Sequence, residues 1–247
     1  PCLALAFLAL YPHQYSTLFV CAFLPALAGV GLTWVLREPL PAHQTVNPPQ
    51  ILMPWAYLRY WRQASPAYRR LVVPMLLFSL FNASDAFLLL RAKHLGVSET
   101  WVIALYIGYN LLYAILSLPI GALADRWGMR RSLQMGLLLF ALVYLGFAWG
   151  PSWGGLLFFM GLYALYAAAS ESLVKAWISN LTPQDEQGVA LGFYVSLASL
   201  SSLFASILAG LLWQYGSPVW PFVFSSVGAL GVWFYFCWLG SRLPEPS

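Results

Sequence analysis

The sequence predicts an all-α membrane protein, a bundle of seven complete transmembrane spans plus one partial span. Three observations predict it. Apolar residues make up 61% of the 247-residue chain and charged residues only 8%, whereas a soluble domain carries roughly a quarter charged residues. The apolar residues fall in runs close to the about 20 that a bilayer-crossing helix needs. Tryptophan and tyrosine are abundant, at 12 and 14, and both favour membrane interfaces.

The same composition excludes several function classes. The pI of about 9.0 would suit a nucleic-acid binder, but the basic residues are scattered at run ends and form no single patch. Cys2, Cys21 and Cys237 lie in apolar runs without metal spacing or a disulfide framework. No H-E-x-x-H, G-x-S-x-G or clustered His/Asp set is present, so no enzyme, metal or cofactor is expected. The sequence opens at Pro1 inside an apolar run, with neither an initiating Met nor a signal pattern, and reads as a fragment.

In chain order, residues 1–10 are too short to span and read as the tail of a helix. Residues 16–36 form a full span ending at Arg37-Glu38-Pro39. Residues 37–65 are polar and proline-rich. Within them, ILMPWAYLRYWRQ mixes aromatics with Arg59 and Arg62, which suits either a segment lying at the interface or a plain linker. Ser65-Pro66 reads as a cap with proline at the first helical position, starting a span to about residue 91. His94-Leu95-Gly96 stops it, and Ser98 caps a span over 99–121. Further spans cover 131–149 and 153–177, joined by the turn Gly150-Pro151-Ser152. Thr182-Pro183-Gln184-Asp185 predicts another helix start, for a span to about 213. Ser217-Pro218 begins the last span, ending near Gly240.

Gly121 to Arg131, GALADRWGMRR, reads as a charged hairpin between two apolar runs, with Gly121 and Gly128 allowing a tight turn and close helix approach. Asp125 is set among Arg126, Arg130 and Arg131. The arginines mark this face as cytoplasmic; Arg37, Arg59, Arg62, Arg69, Arg70 and Arg242 then share it, and only Arg91 and Lys93 fall opposite.

That spacing resembles the loop signature of the major facilitator superfamily, G-x-x-x-D-R-x-G-R-R, departing at Met129, where the family usually carries Arg. FNASDAFLLLRAKHLG at 81–96 and ASESLVKAWISNLTPQDEQGVALGFY at 169–194 also resemble bacterial members, the latter with Gln187 where relatives usually carry Arg. The resemblance covers essentially the whole chain. It implies that 1–36 is the end of an N-terminal helical half, 37–65 the central cytoplasmic loop and 66–247 the C-terminal six-helix half. It further implies a secondary transporter in a bacterial inner membrane, moving a small solute by alternating access, proton-coupled, with a first six-helix half as partner. Residues 66–92 and 153–177 would then be the family's cavity-lining helices 7 and 10, and the hairpin would lock neighbouring helices in one access state.

Asp85 is the strongest candidate for a substrate or proton site. It lies about 15 residues into its span, where an ionised carboxylate costs several kcal/mol unless it faces a cavity or partner. Asn82 is three residues away on the same face, with Ser84 nearby. The alternative is a structural carboxylate. Glu171 and Lys175 stand four apart in the favourable order for a helical ion pair, to be broken and re-formed between access states or simply snorkelling at the interface. Asn110 and Tyr113, with Tyr106 and Tyr109, form a polar-aromatic patch that could touch a ligand or only pack. Small residues crowd 192–210, among them Ser202, Ala205 and Ser206, and let helices approach closely in lipid. A non-transporting scaffold or receptor on the same fold is the competing reading.

Overall fold

The computed structural model describes Phe7, 15–35, 54–170 and 172–239. The predicted partial span 1–10, most of the polar segment, Glu171 and the tail after 239 lie outside the described residues. Two compact units divide at residues 51 and 52. The first holds one described long helix, α1 (Tyr15–Val35), matching the span predicted over 16–36.

The second unit begins with α2 (Pro54–Gln63), a short helix within the predicted polar segment. Tyr60 is buried, Trp61 stacks on Phe193 at 5.3 Å, and Arg59 and Arg62 are exposed. Next comes α3 (Pro66–Ser79), which starts as the sequence predicts. Ser65 accepts the Tyr68 amide at 3.2 Å, and Pro66 takes the first turn, where its missing N–H costs nothing.

The predicted span 66–91 is not one helix. It breaks over Leu80–Asp85 and resumes as α4 (Ala86–His94). Short polar side chains there offer the backbone local partners in place of the helical ladder. Ser79 Oγ donates back to the Met75 carbonyl at 2.9 Å, and Ser84 Oγ accepts the Ala86 amide at 3.3 Å. The helix α4 ends at Gly96, whose φ of 90° favours glycine.

Ser98 occupies the cap position of α5 (Glu99–Trp127) without a side-chain cap bond, so extended backbone alone makes that entry. The helix also overruns the predicted end at 121. The stretch GALADRW is helical, and the turn is the single residue Gly128, with φ 88° and ψ 144°. Its N–H closes α5 on the Ala124 carbonyl, and its carbonyl accepts the Ser132 amide to open α6 (Met129–Ala148). Gly121 needs no close approach, since a Cβ there would meet nothing within 4 Å.

After Gly150, with φ 68°, α7 (Trp153–Ser170) and α8 (Leu173–Leu181) carry one apolar stretch from Trp153 to Leu181. Trp177 is not the end of that span but a fully buried core residue. Thr182 likewise closes α8 instead of starting the next helix. Its hydroxyl donates to the Ile178 carbonyl at 2.8 Å, and α9 (Gln187–Leu211) begins five residues later. Gln187 Nε2 donates to the carbonyls of Ser179 and Thr182, at 2.9 and 3.4 Å. A neutral amide thus satisfies the end of α8 where a charged side chain was the family expectation. A π turn (Leu212–Gly216) finishes α9, and α10 (Trp220–Leu239) completes the chain.

Among the described residues, five helices are long and apolar enough to cross a membrane: α5, α6, α7 with α8, α9 with its π turn, and α10. The stretches predicted as the other two spans hold α1 and the broken pair α3–α4, and neither is among those five. In the second unit α6 packs on α10 and α7, α5 on α7, and α3 on α9 and α10. Their shared core holds Tyr68, Phe140, Tyr144, Phe147, Trp177 and Phe222. Large apolar side chains such as Leu118, Phe204 and Trp238 stand outward, as they would toward lipid.

Gly228 of α10 makes room for the break. A Cβ there would overlap the Phe81 ring, whereas at Gly231 it would meet nothing within 4 Å. Gly228→Ala is therefore expected to destabilise the protein by about 1–3 kcal/mol through overpacking. Thermal unfolding in detergent should show the loss, with Gly231→Ala close to wild type as the control on the same helix.

Candidate functional site

The break in α3–α4 creates the site. The helix α3 is 14 residues long, a rise of about 21 Å, so the irregular backbone begins well along the helix axis and away from the Ser65 cap. Such backbone is tolerated in a membrane only where protein or a cavity satisfies it. The partners come from α9. Ser202 Oγ donates to the Asn82 carbonyl at 3.2 Å, and Ser206 Oγ accepts the Ser84 amide at 3.1 Å. Ala83 packs against Ala205 and Ala209 on the same helix, so the small residues allow the close approach that the hydrogen bonds need.

Asp85 stands at the first residue before α4 but does not cap it with its side chain. Its Oδ1 accepts the Tyr163 hydroxyl from α7 at 2.5 Å. Tyr163 is 3% exposed and stacks on Tyr109 at 5.3 Å. A cavity of about 540 Å³ opens beside them, lined by Asn82, Ser84, Asp85, Leu89, Tyr106 and Ser202, among others. Asn82 Oδ1 is buried and has no hydrogen-bond partner.

The structure thus brings Asn82, Ser84 and Asp85 together. Of the predicted aromatic patch, Tyr106 reaches the cavity and Tyr109 packs on Tyr163. Asn110 turns back to its own helix, donating to the Tyr106 carbonyl at 2.7 Å, and Tyr113 lies 6.5 Å from Tyr109. Neither Asn110 nor Tyr113 lines the cavity. Lys175 is exposed on α8, and its predicted partner Glu171 lies outside the described residues. Of the clasp, Gly121, Asp125 and Arg126 belong to the end of α5, and Arg130 and Arg131 to the start of α6. Arg126 and Arg131 are exposed, and the Asp125 side chain lies outside the described residues.

Sequence reading missed four contributors. Tyr163, Ser202 and Ser206 had signals: a phenol deep in an apolar run needs a partner, and two serines four apart share one helix face. Arg91 was read as a topology marker. It is instead buried, donating through Nε and Nη2 to the Phe147 and Ala148 carbonyls, both at 3.1 Å, and so capping α6. Lys93 pairs with Glu99 at 2.6 Å nearby.

A helical bundle with an apolar exterior and a polar cavity at a broken helix defines an integral, multi-pass membrane protein. The chain belongs to the Major Facilitator Superfamily, whose profile matches residues 71–247. It is 38% identical over 160 residues to an uncharacterised MFS-type transporter of Methanocaldococcus jannaschii, covering 62% of this chain and 40% of that protein. A galacturonate transporter of Dickeya chrysanthemi is 29% identical over 131 residues, 53% of this chain and 37% of the relative. The puromycin resistance protein of Streptomyces alboniger is 33% identical over 127 residues, 50% and 25% respectively. The chain therefore spans two-fifths or less of the length of these relatives. No solved structure gives a significant match.

Removing the α9 partners should expose the break. Ser202→Ala and Ser206→Ala each delete one bond, worth about 1 kcal/mol, to backbone of this segment. Hydrogen exchange of a peptide covering 80–88 is expected to accelerate roughly fivefold per substitution, while a peptide from α6 keeps its protection.

Proposed function

We propose that the complete protein is a proton-coupled secondary transporter that moves a small solute across a membrane by alternating access. In this reading 1–36 ends a first helical half, 37–65 is the central loop and 66–247 is the second six-helix half. The missing first half closes the other side of the cavity, and the host membrane is a bacterial inner membrane. The single observation that carries the reading is the Asp85–Tyr163 hydrogen bond at the cavity wall. It joins α4 to α7, the elements that correspond to the family's two cavity helices of this half.

Asp85 supplies what coupling requires. It is an ionisable group at the start of α4, beside the cavity. Gaining a proton would cancel its charge and change its hydrogen bond with Tyr163. The two cavity helices would then be joined differently in the loaded and unloaded states. The turn at Gly128, with Asp125 and Arg126 before it and Arg130 and Arg131 after it, acts as the conformational clasp. Glu171 and Lys175 are a second candidate pair that changes between states.

The test is Asp85→Asn in the complete protein, reconstituted in vesicles with an imposed pH gradient. Puromycin and galacturonate, the compounds in the relatives' names, are the first solutes to try. The expected outcome is loss of gradient-driven accumulation with downhill exchange retained, because Asn keeps the shape and an acceptor for Tyr163. Unchanged accumulation would remove Asp85 from the coupling role.

A further inference from the structure

We propose that the pocket beside the Gly128 turn binds a compact, uncharged molecule of one ring and one hydroxyl, a phenol with a short alkyl tail, held by Ser132. It is a second site, built by α5, α6 and α7, and its binding is independent of the transport reading.

Apolar side chains set the body of the ligand. The pocket has a volume of about 210 Å³ and is walled by Leu123 and Trp127 of α5, Met135 and Leu139 of α6 and Leu165 of α7. Ala124 and Ala169 line it with short side chains, which leaves room between the three helices. A cavity of about 150 Å³ lined by Leu, Ile and Phe takes up benzene, so this one has room for a ring with a short alkyl tail. None of the described residues that line it is charged, and an ion placed there would lose its hydration without compensation.

Ser132 sets the polar group. It is 5% exposed and lines the pocket, and its Oγ has no hydrogen-bond partner among the described residues. Its amide is spent on the Gly128 carbonyl at 3.2 Å. Other buried hydroxyls of this fold find a carbonyl: Ser79 that of Met75 at 2.9 Å, Thr182 that of Ile178 at 2.8 Å and Ser226 that of Ala141 at 3.0 Å. Ser132 does not follow them, although a helical serine can return its hydroxyl to the preceding turn. An unmatched hydroxyl in an apolar wall carries a desolvation cost that a ligand oxygen would remove. A phenolic O–H both donates and accepts, so it meets the serine in either orientation of the serine hydroxyl, and its ring supplies the apolar surface.

Two probes of one shape separate these contributions: para-propylphenol and propylbenzene. Met135 lines the pocket, so its isotope-labelled ε-methyl NMR signal, assigned with Met135→Leu, reports binding at this place in the purified complete protein in detergent. Met75, in the core on α3, is the control. The Met135 signal is expected to shift saturably with both probes, the phenol half-saturating at an about fivefold lower concentration in the micelle. Ser132→Ala removes the hydroxyl and keeps the space. It is expected to weaken the phenol about fivefold and to leave propylbenzene within about twofold. Thermal stability should stay at or above wild type, since no bond is lost. Equal half-saturation by the two probes in the wild type would overturn the proposal, as would an unmoved Met135, a Met75 shift as large as that of Met135, or unchanged phenol binding in Ser132→Ala. The wild-type ranking decides the matter even where a variant fails to fold. Transport enters none of these readouts, so failure of this site leaves the transporter reading untouched, and failure of transport leaves this site standing.

Discussion

The structure depends on how the unpaired backbone between Leu80 and Asp85 is satisfied. In hydrocarbon an amide or carbonyl without a partner costs several kcal/mol, so a broken helix in a bundle persists only where neighbours complete it. Here α9 does so with Ser202 and Ser206, one helical turn apart. Those bonds need α9 close by, which Ala205 and Ala209 permit by packing on Ala83. Gly228 then leaves space for the Phe81 ring on the α10 side. A serine pair, an alanine pair and one glycine, drawn from two helices, therefore hold a segment that its own sequence does not fold into a helix.

That arrangement places Asp85 where neither half of a continuous helix would. As the residue before α4, its carboxylate could have capped the helix. It bonds the Tyr163 hydroxyl instead. Tyr163 in turn is fixed by rings, with Tyr109 stacked at 5.3 Å and Tyr166 at 5.5 Å. The rigidity of the aromatic layer is what gives the carboxylate a defined partner. Without that layer, a charged side chain beside a cavity of about 540 Å³ would be free to solvate in many positions.

Much of the fold was legible because its punctuation is chemical. Gly96, Gly128 and Gly150 each take a positive φ that few other residues would accept, Ser65-Pro66 caps and starts a helix, and each marks a real boundary. The errors have separate physical causes. Hydropathy averages over a window, so Asn82-Ala83-Ser84-Asp85 disappeared inside an apolar run. The GALADR stretch consists mostly of good helix formers, so α5 continues through it until Gly128. Thr182-Pro183 has the pattern of a helix start, yet the threonine hydroxyl found the Ile178 carbonyl behind it. Asp85 was conspicuous because charge in hydrocarbon is rare. Its partner was not, because the choice among the tyrosines of two helices is made by tertiary packing.

The break also marks where the chain changes hydrogen-bond partners. Before it, Tyr68 of α3 donates to the Ala190 carbonyl of α9 at 2.8 Å. After it, Asp85 bonds α7, and Arg91 holds the last carbonyls of α6. An unbroken helix would couple these attachments rigidly, since each residue would be fixed in rotation by its neighbours. Six residues of irregular backbone let α3 and α4 satisfy different helices without compromise. The serines of α9 span the joint itself, bonding Asn82 on one side and Ser84 on the other. The segment carrying the carboxylate is therefore oriented by α6 and α7 while its other end is held by α9, and the polar groups of the cavity lie between those two sets of attachments.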